Sequence, residues 1–538
     1  MPAKTAFTSA PAYKMLRDHA KGMRKLRLSQ MFKKDPDRAH KLSVKTQHLF
    51  YDYSRQRVTP ETIRLLSRLA RDRKLTGQIM AMYDGVRINR TEDRSVLHVA
   101  LRDFEGMMPE VHEVLSRVEK LSDEVLSGKR LGATGKKIKN IVAIGIGGSY
   151  LGPEYLATAL RPFAEDGMKL VFVANVDGAD FAEKTEGLDA EETLVVIVSK
   201  TFTTAETMKN AETAKKWITL ALESHPDAIK KHFVAVSTAK EKVEAFGIDP
   251  ANMFGFWNWV GGRYSATSAV GAVPLSLYLG YENFQEILEG AHWMDNHFRY
   301  EKTEKNIPIL SALIDIWNIN FLGLKTRALL PYSQGLARLP AHTQQVEMES
   351  NGKSVDREGR PVNFDTGEVV FGEPGTNGQH SFYQLIHQGT QIIPCDFIGF
   401  IQGQYAVDAA TSTEVTHQEE LNTNFLAQPD ALAFGKKDKL PYKNFPGNRP
   451  SSSLLLKELD PFSAGILLAL TEHRTAAKGF IWGINSFDQF GVELGKKLGV
   501  DHRKRMLEYN NSGKINTEGL NPSTAALLEA VLKQELPG

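Results

Sequence analysis

The sequence predicts an α/β fold with parallel-rich sheets, on three observations. Short β-branched runs alternate with amphipathic stretches from Ile138 onward, the alternation occurs twice with a helical bridge between, and turns rich in glycine or hydroxyls follow several runs. Strands buried on both faces read as unbroken apolar runs, and helical crossovers join parallel neighbours. In the first unit, strands are predicted at Ile141–Ile144, Leu170–Val173, Leu194–Val198 and Phe233–Val236. After a helical bridge from about Phe284 to Phe321, a second unit is predicted with strands at Arg327–Leu330, Val369–Phe371 and Gln391–Pro394. Residues 1 to about 130 read as charged helices, with apolar residues at helical spacing in Thr59–Leu66 and Val111–Val118. Leu440–Ser453, rich in Pro, Asn and Ser, reads as an exposed connection before a mainly helical C-terminal part. No fixed-period repeat or low-complexity tract interrupts this pattern.

A chain of 538 residues, 42% of them hydrophobic, can bury more than one core, and two large lobes are expected. Its 66 Lys and Arg against 64 Asp and Glu leave a net charge of +2, too small a field to steer nucleic acid or an anionic membrane. A small-molecule partner is therefore expected. The single cysteine, Cys395, excludes an intramolecular disulfide and a thiolate-rich metal site, which fits a reducing compartment. Met1–Thr5 shows no apolar signal core, and no run reaches the apolar length that spans a bilayer. A cytoplasmic protein without nucleic-acid or membrane partners is expected.

The chemistry is concentrated in turns. Ser199-Lys200-Thr201-Phe202-Thr203-Thr204 sets four hydroxyls and a cation between an apolar run and a helix opening at Ala205. Unpaired backbone N–H groups and the positive helix end there suit an anion such as phosphate, although capped turns use the same residues. Gly145-Ile146-Gly147-Gly148-Ser149-Tyr150 resembles a dinucleotide fingerprint but has Tyr150 where the third glycine belongs. A sharp turn at Gly147-Gly148 presenting N–H groups and the Ser149 hydroxyl to an anion is the better reading. Strand ends of one open sheet lie together, so the Ser149 and Ser199 turns are expected to share one phosphate.

Gly352-Lys353-Ser354 matches the tail of a nucleotide-binding P-loop, yet the leading glycine position holds Glu347. Gln344–Gly352 reads instead as the end of a helix, with Glu349 a carboxylate in partly apolar surroundings that would suit a general base. His380, Gln384 and His387 are expected at i, i+4 and i+7 on one helix face, with His380 near its start. Their spacing is too long for adjacent metal ligands on one turn. Gly261-Gly262-Arg263 pairs close backbone approach with a guanidinium fork suited to an oxyanion. Phe487–Lys496 carries Lys496, either buried or a solvated helix charge.

Six stretches, Gly145–Pro153, Ser199–Thr207, Trp257–Gly271, Glu349–Lys353, Gly372–Gly389 and Phe487–Lys496, resemble those of the glucose-6-phosphate isomerase family in the same order. GGRYSATSAVG and FDQFGVELGK are long and specific, and the resemblance extends from about residue 50 to the end. It implies two three-layer αβα sandwich domains of the sugar-isomerase (SIS) type at residues 121–282 and 283–500, with helical extensions at 1–120 and 501–538. It implies a homodimer with shared active sites and interconversion of D-glucose 6-phosphate and D-fructose 6-phosphate without metal or organic cofactor. It further implies that Ser149, Ser199, Lys200, Thr201 and Thr204 hold the phosphate, with Gly148, Gln345 and Gln489 at the substrate. Glu349 matches the base that moves a proton between C1 and C2, and Arg263 the residue that stabilises the enediolate charge. His380, from the neighbouring subunit, and Lys496 match the pair assigned to ring opening. Three other readings stand beside this one: a non-catalytic sugar-phosphate sensor, an isomerase of an aminated or epimeric sugar phosphate, and a nucleotide-dependent enzyme. The sensor would have no need of Glu349, His380 and Lys496 together, and the two broken glycine motifs weigh against a nucleotide.

Overall fold

A threonine hydroxyl sets the turn between the first strands. Thr46 Oγ1 accepts the backbone N–H of His48 at 3.2 Å and of Leu49 at 3.1 Å, closing a tight turn between β1 (Ser43–Lys45) and β2 (Leu49–Asp52). This hairpin, in a computed structural model describing residues 7–536, corrects the all-helical reading of the N-terminal segment. Its strands are three and four residues long, too short for their alternation to outweigh the helical periodicity around them. The helical readings themselves are met: Thr59 caps a helix at Pro60–Asp72, and a second runs over Pro109–Leu126. Met1–Thr5, read for a signal core, lies outside the described residues.

The first α/β unit contains β3 (Asn140–Ile144), β4 (Lys169–Val173), β5 (Thr193–Val198), β6 (Phe233–Val236) and β7 (Met253–Phe254). They form one parallel sheet in the order β4-β3-β5-β6-β7. Every residue of β3, β5 and β6 is buried, which is why these strands read as continuous apolar runs. From β3 the chain goes first to one side, at β4, and then to the other, at β5. The crevice outside the carboxyl ends of β3 and β5 is therefore the sheet's topological switch point, where ligands of open α/β sheets bind.

The second sheet has the order β1-β2-β11-β10-β8-β9, with β8 (Thr326–Pro331), β9 (Val369–Phe371), β10 (Cys395–Phe400) and β11 (Ser451–Leu456). β9, β8, β10 and β11 are mutually parallel, and β2 joins β11 antiparallel, Ser453 opposite Asp52. Two expectations are corrected here. The strand expected at Gln391–Pro394 begins at Cys395, directly after Pro394, because proline has no N–H to give the ladder. The connection expected over Leu440–Ser453 ends in β11: Ser451 and Ser452 are buried, and the Ser452 hydroxyl receives hydrogen bonds from Tyr51 Oη at 3.3 Å and Gln56 Nε2 at 3.0 Å. A serine read as a loop residue, Ser452, thus satisfies its hydroxyl inside a sheet.

The bridge is helical, as expected, over Tyr281–Tyr300 and Ile307–Ile316, followed by a π-helical turn at Trp317–Leu322. Helix Pro461–Trp482 begins at Asp460, whose carboxylate accepts the Ser463 N–H at 2.7 Å, and stops at Gly483 with φ 80°. By its contacts the chain divides into Met1–Phe487, which holds both sheets, and Asp488–Gly538. The latter has helices Glu493–Ser512 and Pro522–Lys533; Arg505 stitches the intervening turn by donating to Asp501 and to the carbonyls of Asn516 and Glu518. Among the described residues no helix is long and apolar enough to cross a membrane.

Candidate active site

The glycine turn after β3 meets the arginine turn. A Cβ on Gly148 would lie 2.1 Å from the carbonyl carbon of Gly262, so only glycine permits this approach. Arg263, 3% exposed, follows Gly262 in a single turn, Gly262–Tyr264. Its Nε donates to Ser350 Oγ at 2.6 Å and its Nη2 to the Ser486 carbonyl at 2.6 Å, leaving Nη1 directed at Glu349 Oε1, 3.0 Å away. Tyr264 Oη, 2.9 Å from the same Ser350 hydroxyl, fixes it from the far side.

Glu349 ends a π-helical turn, Gln345–Glu349, that continues the short helix Leu339–Gln344. Such turns re-aim side chains within a helix and recur at functional sites. Gln345 Nε2 donates to Glu349 Oε2 at 3.1 Å, so an amide and a guanidinium each hold one carboxylate oxygen. The Glu349 side chain keeps 24% of its surface open. A Cβ added to Gly147 would stand 3.2 Å from Gln345 Nε2, which places the glycine turn over this carboxylate. A fixed, partly accessible carboxylate beside a cation can exchange a proton with a bound carbon acid while the cation meets the charge that develops.

The phosphate-like turn lies at the end of β5. Ser199 is buried, its hydroxyl 3.5 Å from Thr204 Oγ1, and the Thr201 and Thr203 hydroxyls are 2.7 Å apart. Thr204 is the cap residue of helix Ala205–Ala221 but makes no side-chain capping bond; its Oγ1 accepts from Ser199 instead, and the uncapped first turn of a helix suits an anion. Phe202 adopts φ 52°, a left-handed conformation costing about 1–3 kcal/mol in a non-glycine residue. Its buried ring, edge-on to Phe246 at 5.7 Å, anchors it there. Lys200 Nζ donates to the Trp257 carbonyl at 3.3 Å, tying this turn to the segment that leads to Arg263. Burial, with Arg94 nearby, pulls the Lys200 pKa down to about 8.

Ser149 completes the single turn Gly147–Ser149 at the neighbouring strand end. β3 and β5 are adjacent, Ile144 opposite Ile197, so the Ser149 turn and the Ser199–Thr204 turn face one crevice. Arg263, Glu349, Gln345 and Gly148 are thus brought together, and Lys200 joins them through Trp257.

Among the described residues, no hydrogen bond or ion pair joins His380 to this group. It is exposed at the end of a short turn, Asn377–His380, and the following helix, Tyr383–Gln388, starts only after a break at Phe382 (φ −126°, ψ 4°). This corrects the expected single face of His380, Gln384 and His387. Phe382 leaves the helical path to set its ring against Phe371 at 5.2 Å. Gln384 pairs instead with Gln388 at 2.8 Å, and His387 with Gln428 at 2.9 Å. Lys496 and Gln489 belong to Asp488–Gly538; there the Lys496 side chain is 64% exposed and lies 3.9 Å from the Glu493 carboxylate. Among the described residues, no group of three His, Cys, Asp or Glu side chains is placed to hold a metal ion.

Sequence reasoning missed the residues that aim the pair. Ser350, Tyr264 and Ser486 each adjoin a recognised motif, but their role is visible only from the bonds they make to or around Arg263. It also missed a buried ionic cluster behind the π-turn. Lys478 is fully buried and its Nζ meets Glu347, Glu368 and Asp315 at 2.8, 2.7 and 2.9 Å. Burial disfavours its charge, yet the three carboxylates hold its pKa above the usual lysine value. From Glu347 the bonds continue through Asn351 (2.8 Å) to the Ser486 hydroxyl (2.7 Å).

The whole chain has close relatives. A family model described as phosphoglucose isomerase matches residues 52–528. The chain is 49% identical over 558 residues to a glucose-6-phosphate isomerase, cytosolic 1, of Clarkia arcuata, covering 99% of this chain and 97% of the relative. It is 50% identical over 547 residues to the cytosolic glucose-6-phosphate isomerase of Arabidopsis thaliana, with 97% of each covered. Among solved structures, a glucose-6-phosphate isomerase from Chlamydia trachomatis D/UW-3/Cx matches with a TM-score of 0.87 and 35% identity over 98% of this chain and 100% of that one. A carboxylate clasped by Arg263 and Gln345, on a fold and sequence shared almost end to end with these proteins, places the chain in the phosphoglucose isomerase family.

Proposed function

We propose that this chain is a cytoplasmic isomerase that interconverts D-glucose 6-phosphate and D-fructose 6-phosphate, a step of glycolysis and gluconeogenesis. The observation that carries the reading is the Glu349 carboxylate, held at 3.0 Å by Arg263 and 3.1 Å by Gln345 beside the Ser149 and Ser199–Thr204 turns. The relatives' names, all glucose-6-phosphate isomerases and the plant ones cytosolic, support the substrate and the compartment.

In this reading Ser149, Ser199, Lys200, Thr201 and Thr204 bind the phosphate, a part of the substrate remote from the reaction whose binding energy orients C1 and C2 over Glu349. Glu349 removes the C2 proton of the open-chain aldose. The electron pair forms the C1–C2 double bond of a cis-enediol(ate), and Arg263 stabilises the charge gathering on its oxygens. Passage of the O2 proton to O1 and return of the carbon-bound proton from Glu349 to C1 give the ketose. Lys496 and a His380 from a second copy of the chain open the sugar ring, Gly148, Gln345 and Gln489 contact the substrate, and the working form is a homodimer with shared sites. The exposure of His380 supports an origin in a second copy. We assign residues 121–282 and 283–500 to two SIS-type domains, 1–120 and 501–538 to extensions, and neither metal nor organic cofactor to the reaction.

The test is conversion of fructose 6-phosphate by the purified chain in chelator-containing buffer, with glucose 6-phosphate followed by a coupled dehydrogenase. Turnover is expected. Tight sugar-phosphate binding without turnover would favour the sensor.

A further inference from the structure

Arginine also gathers away from this site, around the end of helix Pro461–Trp482. A recess of about 280 Å³ there is lined by Arg73, Lys74, Arg90, Arg357 and Arg360 against the carboxylates of Asp356 and Glu358. Arg90 is paired with Glu358 at 2.8 Å and Arg360 with Asp356 at 2.8 Å. Among the described residues, the two half-buried guanidiniums, Arg73 and Arg357, are not paired with any carboxylate. Arg73 Nε donates to the Ile481 carbonyl at 2.7 Å, and Arg357 donates to the Ile484 carbonyl at 3.1 Å and to the Gln78 side chain. Gly483 makes room for this arrangement: a Cβ there would stand 2.7 Å from Arg73 Nη2. Neutral oxygens position both forks without neutralising them, and Lys74 adds an exposed cation at the rim. Burial, then the charges of Arg90 and Arg73, pulls the Arg357 pKa down to about 10.

Desolvated like charges held side by side are resolved by an anion, and guanidinium forks fit the paired oxygens of a phosphate. We propose that this recess is a second anion site, distinct from the Ser199–Thr204 crevice, that takes a phosphate-bearing small molecule. Its occupant would bear on the chemistry through one short segment. Ile481 and Ile484, held by Arg73 and Arg357, flank Gly483, and Ser486, two residues on, gives its carbonyl to Arg263 Nη2 at 2.6 Å.

Equilibrium dialysis of the full chain against labelled inorganic phosphate tests this. Two classes of site are expected. Lys200→Ala should weaken one, and the exposed pair Lys74→Glu with Arg90→Glu should weaken the other by about tenfold or more while leaving the isomerase KM unchanged. Competition by a hexose phosphate and by a nucleoside triphosphate, each at matched ionic strength, then shows which phosphate carrier the second site prefers. One class of site in the unaltered chain, or second-class binding unmoved by the double reversal or abolished equally by chloride, would overturn the proposal. Because among the described residues the Lys74 and Arg90 side chains make no hydrogen bond to backbone, misfolding of that variant is not expected, and a retained melting temperature checks it.

Discussion

Lys478 Nζ and Glu347 Oε1 lie 2.8 Å apart in the interior, two residues before the accessible carboxylate of Glu349 on the same π-helical turn. The ammonium also neutralises Glu368 and Asp315, so it is the centre of a buried cluster rather than half of a pair. Removing one partner of such a cluster leaves the others charged and desolvated. Lys478→Met is expected to lose about 3–5 kcal/mol of stability in urea unfolding. Adding Glu368→Gln, which removes a carboxylate whose pKa burial already raises, should recover part of that loss; a double variant no more stable than the single would contradict the account.

Glu349 is held by two donors that do not depend on substrate. Glu349→Gln keeps the shape and can still accept from Arg263, so affinity for a competitive sugar phosphate should be nearly unchanged while kcat falls by about two to four orders of magnitude. Substantial residual turnover would remove Glu349 from the role of base.

Lys200 has a pKa near 8 because burial penalises its charge. The protonated form is the one that binds phosphate, so kcat/KM for the sugar phosphate should decline as pH rises through about 8. Lys200→Ala should show a raised KM at neutral pH and no such decline. An unaltered alkaline limb in that variant would assign the ionisation elsewhere.

His342, on the helix that leads to Glu349, is 1% exposed, stacks on Tyr155 at 5.7 Å, and among the described residues has no hydrogen-bond partner on either ring nitrogen. Burial lowers its pKa to about 4. The unfolded chain takes up this proton below about 6.5 and the folded chain does not, so stability is present above that pH and is lost as pH falls toward 4, by about 3 kcal/mol at most. His342→Leu gives up no hydrogen bond and should flatten this acid limb in denaturation measured between pH 7 and 4. An unchanged limb would show that His342 does not set it.

The parallel strands of the first unit and the turns that follow them were legible because each is a local matter: a β-branched run, then glycines or hydroxyls that can face an anion. Glu349, Arg263 and the Ser199–Thr204 turn were nameable for the same reason, since their motifs are contiguous. What stayed hidden depends on contacts between distant segments. The β1–β2 hairpin has meaning only once Asp52 lies opposite Ser453 in another part of the chain. Phe382 breaks a helix that its neighbours' spacing favours because Phe371 offers its ring a better place. Residue order alone sets which residue types stand at which strand ends, because backbone preference and hydrophobic period act over a few residues. That Ser350, Ser486 and Tyr264 aim Arg263 at Glu349, and that the buried Lys478 supports the turn beneath it, follows from folding, because hydrogen bonding and desolvation are settled by neighbours that the chain brings together from far apart.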